Sequence, residues 1–151
     1  MEYIEEGMIE MKSTITWTGD MAFTGTTPSG HELRMDAAQE IGGQNSGPRP
    51  TELLLYSLAG CTGIDIVMIL KKMRLELTGF SMEVEGTRAD TEPKKFTDFH
   101  IHYSVEGDLP EEKVIRAIQL SKDKYCSVSH SLSANIVASY SINGTKGNQV
   151  L

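Results

Sequence analysis

The most reactive side chains in this 151-residue sequence belong to two cysteines, Cys61 and Cys126. They lie far apart in the chain and form neither a Cys-x-x-Cys motif nor the spacing of zinc ligands. A buried cysteine often serves simply as a small hydrophobic residue. Alternatively, the fold brings the two thiols together as a redox pair. Spacing alone leaves both interpretations open.

An acidic residue near Cys61 works against a reactive thiolate there. Asp65 follows one helical turn later on the same face, and its carboxylate disfavours a second negative charge. A cation from elsewhere would have to compensate this effect. Arg49, which precedes the helix, and Arg34, on a predicted strand, are the candidates, and spacing does not choose between them.

Basic residues accompany Cys126 instead. Lys122 and Lys124 precede it, and His130 follows four residues later. If this stretch is helical, His130 shares a face with Cys126 and could form a Cys–His pair. We favour the simpler interpretation, in which His130 caps or hydrogen-bonds locally.

Two further histidines, His100 and His102, alternate along one strand face. They could form one edge of a metal site, but no third ligand is evident, and an exposed polar strand face explains them more simply. The sequence also contains no P-loop, G-x-G-x-x-G loop, H-E-x-x-H helix or G-x-S-x-G elbow. We therefore predict neither a metal nor a cofactor.

The charge balance restricts the partners. Fourteen basic and 21 acidic residues give a net charge of −7, which argues against nucleic acid or an anionic membrane as the main partner. Residues 53–70 are apolar enough to span a membrane, but Asp65 within them favours a helix in a protein core. Residues 1–11 form an acidic lead-in without features of a signal peptide, so a cytoplasmic location is expected.

Hydrophobic periodicity predicts a single α+β domain over residues 1–151, with a mainly antiparallel sheet and two main helices. A long helix begins after Pro50 and ends near Met73. The other predicted elements are strands at 13–18, 21–26 and 31–36, a hairpin of 80–87 with 96–105, a helix from 109 and a strand at 134–142. The tail, residues 143–151, is expected to be frayed.

The long helix is apolar on nearly all sides, so we expect other elements to bury most of its surface. Gly60 and Gly63 lie in its middle, although glycine costs about 1 kcal/mol relative to alanine in a helix. Small residues at this spacing often mark the close approach of another helix, or of the same helix from a second subunit.

Two segments together resemble the cysteine motifs of the OsmC/Ohr family. One extends from Pro50 to Thr62 and contains Cys61, and the other extends from Leu120 to Val128 and contains Cys126. The order of strands and helices also matches, so the resemblance covers nearly the whole chain. It implies an intertwined α+β homodimer, with the long central helices buried between two sheets.

The resemblance also implies a thiol peroxidase for organic hydroperoxides, including fatty-acyl hydroperoxides. Cys61 would be the peroxidatic cysteine that attacks the O–O bond, and Cys126 would resolve the resulting sulfenic acid to a disulfide. A small dithiol such as a lipoyl group would then reduce the bridge. The alternative is a non-enzymatic OsmC-like protein that binds a small apolar ligand or senses redox state at the dimer interface.

The sequence departs from the peroxidase pattern at two positions. Those enzymes carry a glutamate ten residues before the first cysteine, where this chain has Thr51, and Glu52 comes one position later. They also hold the thiolate with an arginine from the N-terminal strands, for which Arg34 is the positional candidate. By resemblance, Glu52 and Arg34 are the candidate supporting residues for the Cys61 thiolate, and Cys61 and Cys126 are the predicted catalytic pair.

Overall fold

The computed structural model describes residues 9–151 of the chain. The chain divides into two compact units, one that ends at Leu54 and one from Leu55 to Leu151. Residues 1–8, most of the acidic lead-in, lie outside the described residues. The assignment of the whole chain to one domain stays a prediction.

An antiparallel meander forms the sheet of the N-terminal unit, as the alternating residues predict. Strand β1 (Thr14–Gly19) pairs with β2 (Ala22–Thr26), which pairs with β3 (Glu32–Met35). Gly19 and Asp20 both have positive φ in the tight turn between β1 and β2. Glycine and aspartate tolerate this conformation, so the Gly-Asp pair identifies the turn correctly.

Asp36 organises the loop that follows β3. Its carboxylate accepts hydrogen bonds from the backbone N–H groups of Ala37, Gln44 and Ser46 and from the Ser46 hydroxyl. These bonds, above all the one from the Ser46 hydroxyl, hold the pKa of Asp36 well below its usual range. The glycine-rich segment that leads to the long helix is therefore an ordered loop.

The C-terminal unit contains a four-stranded sheet in the order β4-β5-β6-β7. The strands are β4 (Gly79–Arg88), β5 (Phe96–Glu106), β6 (Asn135–Ile142) and β7 (Thr145–Lys146). The predicted hairpin is the antiparallel pair of β4 and β5. In contrast, β5 and β6 run parallel, so the sheet is mixed.

A helical crossover makes the parallel pair possible. Parallel neighbours need a long connection, and here it contains α2 (Glu111–Leu120), a π-helical turn (Ser121–Tyr125) and the short helix α3 (Ser127–Ser131). Val114, Ala117 and Ile118 of α2 are fully buried, as its apolar spacing predicts. The sequence analysis included the two main helices but not α3.

The expectation of a frayed tail is wrong for the end of the chain. Residues Thr145 and Lys146 form β7, which pairs with β6. Beyond β7, Leu151 exchanges two backbone hydrogen bonds with Ala138, and its side chain packs against the core. The apolar C-terminal residue gives this segment a place in the core that its polar composition does not predict.

The long helix α1 (Pro50–Lys72) begins and ends close to the predicted positions. One side, the inner face, is fully buried and consists of Leu58, Thr62, Ile66 and Leu70, at every fourth residue. The opposite side, the outer face, is exposed and apolar and consists of Tyr56, Ile64, Val67 and Met68. The expectation that other elements bury most of the helix surface is therefore wrong for the single chain, because the C-terminal unit covers only the inner face.

The two helix glycines have different surroundings. A Cβ atom on Gly63 would lie 2.8 Å from Cε of Met82 in β4, so Gly63 allows a strand, rather than a second helix, to approach α1. Gly60 has no such neighbour within 4 Å. The prediction of a second helix close to these glycines is therefore wrong for Gly63 within the C-terminal unit, where the side chain of Met82 is the neighbour.

Within residues 9–151, α1 is the one helix long and apolar enough to cross a membrane. The core helix of a globular protein passes the same test, and the C-terminal unit buries the inner face of α1. Asp65 lies in the middle of the apolar stretch, where a charge is costly in lipid.

Candidate thiol site

The fold brings Cys61, Asp65 and Cys126 together. One ligand-type atom of each side chain lies within 4.8 Å of the other two, so the two sulfur atoms are within 4.8 Å of each other. Both cysteines are free thiols in the structure. Cys61 is partly buried on α1, whereas Cys126 is fully buried at the start of α3. The spatial pairing that spacing left open is therefore present.

Local hydrogen bonds fix the position of Cys126. It is the N-cap residue of α3, and its Sγ accepts a hydrogen bond from the backbone N–H of Ser129 at 3.3 Å. Its own N–H donates to the carbonyl of Ser121 at 2.8 Å across the π-helical turn. These two bonds hold the Cys126 sulfur in place at the start of α3.

The surroundings of Cys61 favour the neutral thiol. Burial raises the pKa of Cys61, and the neighbouring Cys126 and Asp65 raise it further. The backbone N–H of Val128 acts in the opposite direction by hydrogen-bonding to the sulfur. The effect of Asp65 has the sign predicted from its position one turn after Cys61.

A hydroxyl group, rather than a cation, is the partner of Asp65. The Oγ of Ser121 donates a hydrogen bond to Oδ2 of Asp65 at 2.9 Å, and Ser121 is fully buried. Among the described residues, the single ion pair joins Lys94 and Glu92, far along the sequence from this site. Ser121 lies 56 residues from Asp65 in the chain, so no local sequence pattern connects the two residues.

A buried tyrosine completes the surroundings. The charges of Cys126, Asp65 and Cys61 and, above all, burial raise the pKa of Tyr103 to about 12, so its phenol stays protonated at neutral pH. Tyr103 lies on the buried face of β5. The sequence analysis missed it as a neighbour of the thiols, because its alternation indicates burial and not what lies opposite.

The basic residues near Cys126 contact other groups. Lys122 Nζ donates to the carbonyl of Ile136 at 3.4 Å, and Lys124 Nζ lies 5.2 Å from the ring centroid of Tyr125. Closeness in sequence to Cys126 therefore does not make these lysines partners of its thiol.

The ring of His130 also contacts backbone groups rather than sulfur. Its Nδ1 lies 2.9 Å from the carbonyl oxygen of Cys126, and its Nε2 lies 3.0 Å from that of Asp123. The local hydrogen bond that we favoured for His130 is confirmed, and the structure forms no Cys–His pair.

Arg34 and Glu52 belong to the N-terminal unit. The guanidinium of Arg34 donates to Ser46 Oγ at 2.9 Å and to the Thr18 and Thr24 hydroxyls at 3.3 Å each. Glu52 is exposed in the first turn of α1. Their proposed action on Cys61 stays a prediction.

His100 and His102 contact serines of the neighbouring strand. Both rings lie within hydrogen-bond distance of Ser139 Oγ, at 2.8 and 2.7 Å, and His102 also contacts Ser141 Oγ at 2.8 Å. Neither histidine belongs to the one group of three potential metal ligands found in residues 9–151. The polar strand face predicted from their alternation is thus a hydrogen-bonded one.

Two concave surfaces flank α1. A cleft of about 450 Å³ is lined by Asp65 and by apolar side chains that include Met68, Leu120 and Tyr125, with Lys72 and Arg116 as its cations. An apolar groove of about 360 Å³ lies over Gly60 and Gly63 and is lined by Ile64, Val67, Met68, Phe80 and Met82. The cleft borders the thiol site, because Asp65 belongs to both.

Comparisons with known proteins agree on the kind of fold. A family model described as OsmC-like protein matches residues 43–141. Protein YhfA of Escherichia coli K12 is 36% identical over 138 residues, which cover 87% of this chain and 98% of that protein. A hypothetical protein from Aquifex aeolicus VF5 has a crystal structure that is 30% identical with a TM-score of 0.79, over 90% of this chain and 98% of that one.

A more distant structure shares the fold. An organic hydroperoxide resistance protein OsmC from Legionella pneumophila is 18% identical with a TM-score of 0.65. The match covers 90% of this chain and 98% of that one.

Proposed function

The chain belongs to the OsmC-like family, and we propose that it is a thiol peroxidase that reduces organic hydroperoxides. The observation that carries the proposal is the pair of free thiols, Cys61 and Cys126, with sulfur atoms within 4.8 Å. Cys61 is the more accessible of the two and is the attacking group. Cys126 is buried behind it and is the resolving group.

The reaction begins at Cys61. Its thiolate attacks one oxygen of the hydroperoxide, the O–O bond breaks, and the alkoxide that leaves takes up a proton to become an alcohol. Cys61 is thereby oxidised to a sulfenic acid. The N–H group of Val128 supports the thiolate, against the effects of burial and of Asp65.

The second step forms a disulfide. The Cys126 thiolate attacks the sulfenic sulfur of Cys61, and the hydroxyl group leaves as water after it takes up a proton. A small dithiol, such as a lipoyl-type reductant, then attacks the bridge and is itself oxidised to a disulfide. The Ser129 N–H that bonds to Cys126 Sγ holds the resolving sulfur in place.

Two residues of the N-terminal unit complete this proposal. The guanidinium of Arg34 would stabilise the Cys61 thiolate, and Glu52 would orient that guanidinium. The substrates under this proposal are organic hydroperoxides, including fatty-acyl hydroperoxides, and the protein acts in oxidative-stress defence in the cytoplasm. The Legionella pneumophila relative carries the description of an organic hydroperoxide resistance protein, which supports the substrate class.

We also propose that the working form is a homodimer. The outer face of α1 exposes Tyr56 by 74% and Ile64 by 64%, an unusual exposure for large apolar side chains on a central helix. A second copy that covers this face would bury the helix on most sides, as in the intertwined dimer that the sequence resemblance implies.

Stopped-flow measurements of free thiols test the peroxidase. We expect the reduced chain to lose both thiols rapidly and stoichiometrically with cumene hydroperoxide, more slowly with hydrogen peroxide, and to yield a Cys61–Cys126 disulfide by mass spectrometry. Cys61→Ser should abolish the fast phase, whereas Cys126→Ser should keep one fast oxidation. Thiols that persist for minutes, or a Cys61→Ser variant with unchanged turnover, would contradict the proposal.

A second candidate is a non-enzymatic protein that binds a small apolar ligand or senses redox state. The apolar groove over Gly60 and Gly63 favours ligand binding, and the raised pKa of Cys61 favours a slow thiol. Persistent thiols, together with a shift in melting temperature on addition of a fatty acid, would support this candidate over the enzyme.

A further inference from the structure

We propose that Cys61, Cys126 and Asp65 bind one Zn²⁺ ion when both cysteines are reduced. Two thiolates and one carboxylate are ligands that Zn²⁺ accepts, and three protein ligands with one open position are typical of reactive zinc sites. The ligands come from α1 and from the start of α3, two elements distant in sequence. No local spacing motif could therefore reveal the site.

The distances fit a tetrahedral ion after a small closure. With Zn–S bonds of about 2.3 Å, tetrahedral geometry places two sulfurs about 3.8 Å apart. The three side chains already lie within 4.8 Å of one another. Closure by about 1 Å or less, which side-chain rotation can supply, would therefore bring all three onto one ion.

Neighbouring groups orient two of the three ligands as outer-shell partners do in metal sites. The buried hydroxyl of Ser121 donates to Oδ2 of Asp65 at 2.9 Å. The N–H of Ser129 donates to Cys126 Sγ at 3.3 Å. Such second-shell bonds hold metal ligands in place and raise metal affinity.

A bound Zn²⁺ ion would compensate the charge of its own ligands. Once the ion has displaced both thiol protons, Cys61, Cys126 and Asp65 together carry three negative charges, and within residues 9–151 no basic side chain forms an ion pair with Asp65. A divalent ion reduces the net charge to −1 and replaces the two thiol protons, which are released to solvent.

An entry path exists on the Asp65 side. Asp65 lines the cleft of about 450 Å³, and both Cys61 and Asp65 are only partly buried. An ion can therefore reach the thiols without opening the core around Cys126. The fourth position of the ion would face this side and hold a water molecule.

Zinc and disulfide formation exclude each other, because each uses both sulfur atoms. The zinc-bound protein would thus be protected from oxidation. The site does not depend on the proposed peroxidase, since ligand binding requires no hydroperoxide.

The test is a titration of the reduced, untagged, full-length chain under anaerobic conditions. Co²⁺ serves as the spectroscopic probe, and Zn²⁺ affinity follows from competition with a chromophoric chelator. We expect one Co²⁺ per chain, with thiolate-to-cobalt charge-transfer absorption and the visible bands of a tetrahedral site. Added Zn²⁺ should displace the Co²⁺ and slow the oxidation of both thiols.

Variants assign the ligands. Cys61→Ser and Cys126→Ser should remove most of the charge-transfer absorption, and Asp65→Asn should weaken Zn²⁺ binding. Ser121→Ala should weaken it by about 10- to 100-fold, the usual effect of losing an outer-shell partner. Asp123→Asn, the same chemical change at an exposed residue near Cys126, is the matched control and should leave the affinity unchanged.

Two results would overturn the zinc site. One is the absence of charge-transfer absorption in the reduced wild type. The other is an affinity that Cys61→Ser and Asp65→Asn leave unchanged. These two variants do not alter the fully buried Cys126, so a folding defect of Cys126→Ser does not affect the conclusion. Peroxidase activity without metal binding would refute only this inference, and metal binding without activity would refute only the proposed function.

Discussion

The two faces of α1 are equally apolar but differ in what covers them. Leu58, Ile66 and Leu70 on the inner face are fully buried by the C-terminal unit, whereas Ile64 on the outer face is 64% exposed. Hydrophobicity along the helix does not distinguish these faces. Apolar character therefore predicts that a residue is buried, but it does not predict whether the same chain or another copy buries it.

The thiol site lies at the border between these faces. At 100° per residue, Cys61 lies about 60° around the helix from Leu58 and about 60° from Ile64. The Cys61 thiol is thus packed on one side by its own chain and lies beside the exposed apolar surface on the other. A second copy on the outer face would be a close neighbour of Cys61.

A matched pair of isoleucine truncations, one on each face of α1, should give the largest change in the free energy of unfolding. Ile66→Ala should lower the free energy of unfolding by about 2–5 kcal/mol at any protein concentration, because it leaves a cavity in the core. Ile64→Ala should have an effect that grows with protein concentration, because association stabilises the outer face. Urea unfolding at several concentrations measures both. Equal, concentration-independent losses would show that the two faces do not differ.

A charge on the outer face should weaken self-association. Ile64→Lys removes about 1.5–3 kcal/mol of apolar burial from each subunit, or about 3–6 kcal/mol per dimer, which corresponds to a rise of at least about 100-fold in the dimer dissociation constant. Sedimentation velocity measures the change, with Glu83→Lys, an exposed site on β4, as the control. A wild-type chain that stays monomeric at high concentration would refute the homodimer.

At the border between the inner and outer faces of α1, Asp65→Asn should make the Cys61 thiol more reactive. The Asp65 carboxylate raises the pKa of Cys61, so its removal should lower that pKa and increase the thiolate fraction near neutral pH. The rate of Cys61 alkylation, measured in a Cys126→Ser background, should rise severalfold near neutral pH and converge with that of the parent at high pH. Asp123→Asn is again the control, and a slower Asp65→Asn variant would contradict the electrostatic account.

The smallest change in the free energy of unfolding is expected at Thr62, the polar residue of the inner face. The Thr62 hydroxyl donates to the carbonyl of Leu58 at 3.0 Å, within the same helix. Thr62→Val keeps the shape but removes that bond and the hydrogen bond of the Thr62 side chain with the buried Tyr103 phenol, so the free energy of unfolding should fall by about 1–2 kcal/mol. A loss larger than that of Ile66→Ala would mean that the substitution disturbs the core beyond these two bonds.

Local sequence patterns predicted where the strands and helices lie better than they predicted which elements contact one another. Alternation located β4 and β5, and the proline and acidic residues near Glu111 located the start of α2, because both signals lie within a few residues. The parallel pairing of β5 with β6 and the burial of Leu151 depend on contacts between distant residues. Such contacts leave no periodic signal.

The same limit applies to the thiol site. The sequence predicted the influence of Asp65 on Cys61, since the two are one helical turn apart. It did not reveal that Ser121 would be the partner of Asp65, or that the backbone of Val128 and Ser129 would face the sulfurs. Every residue except proline carries a backbone N–H group, so no side-chain motif identifies the residues that contribute one to a site.

The parallel pairing of β5 and β6 constrains the order in which the C-terminal unit assembles. The β4–β5 hairpin joins neighbouring segments and can form early, whereas β6 can dock only after the whole crossover has closed. Pairings between distant segments form slowly because the chain must lose the entropy of the connecting loop first. Cys126 lies within this crossover, so we expect its lasting approach to Cys61 to accompany the docking of β6 rather than the formation of the hairpin.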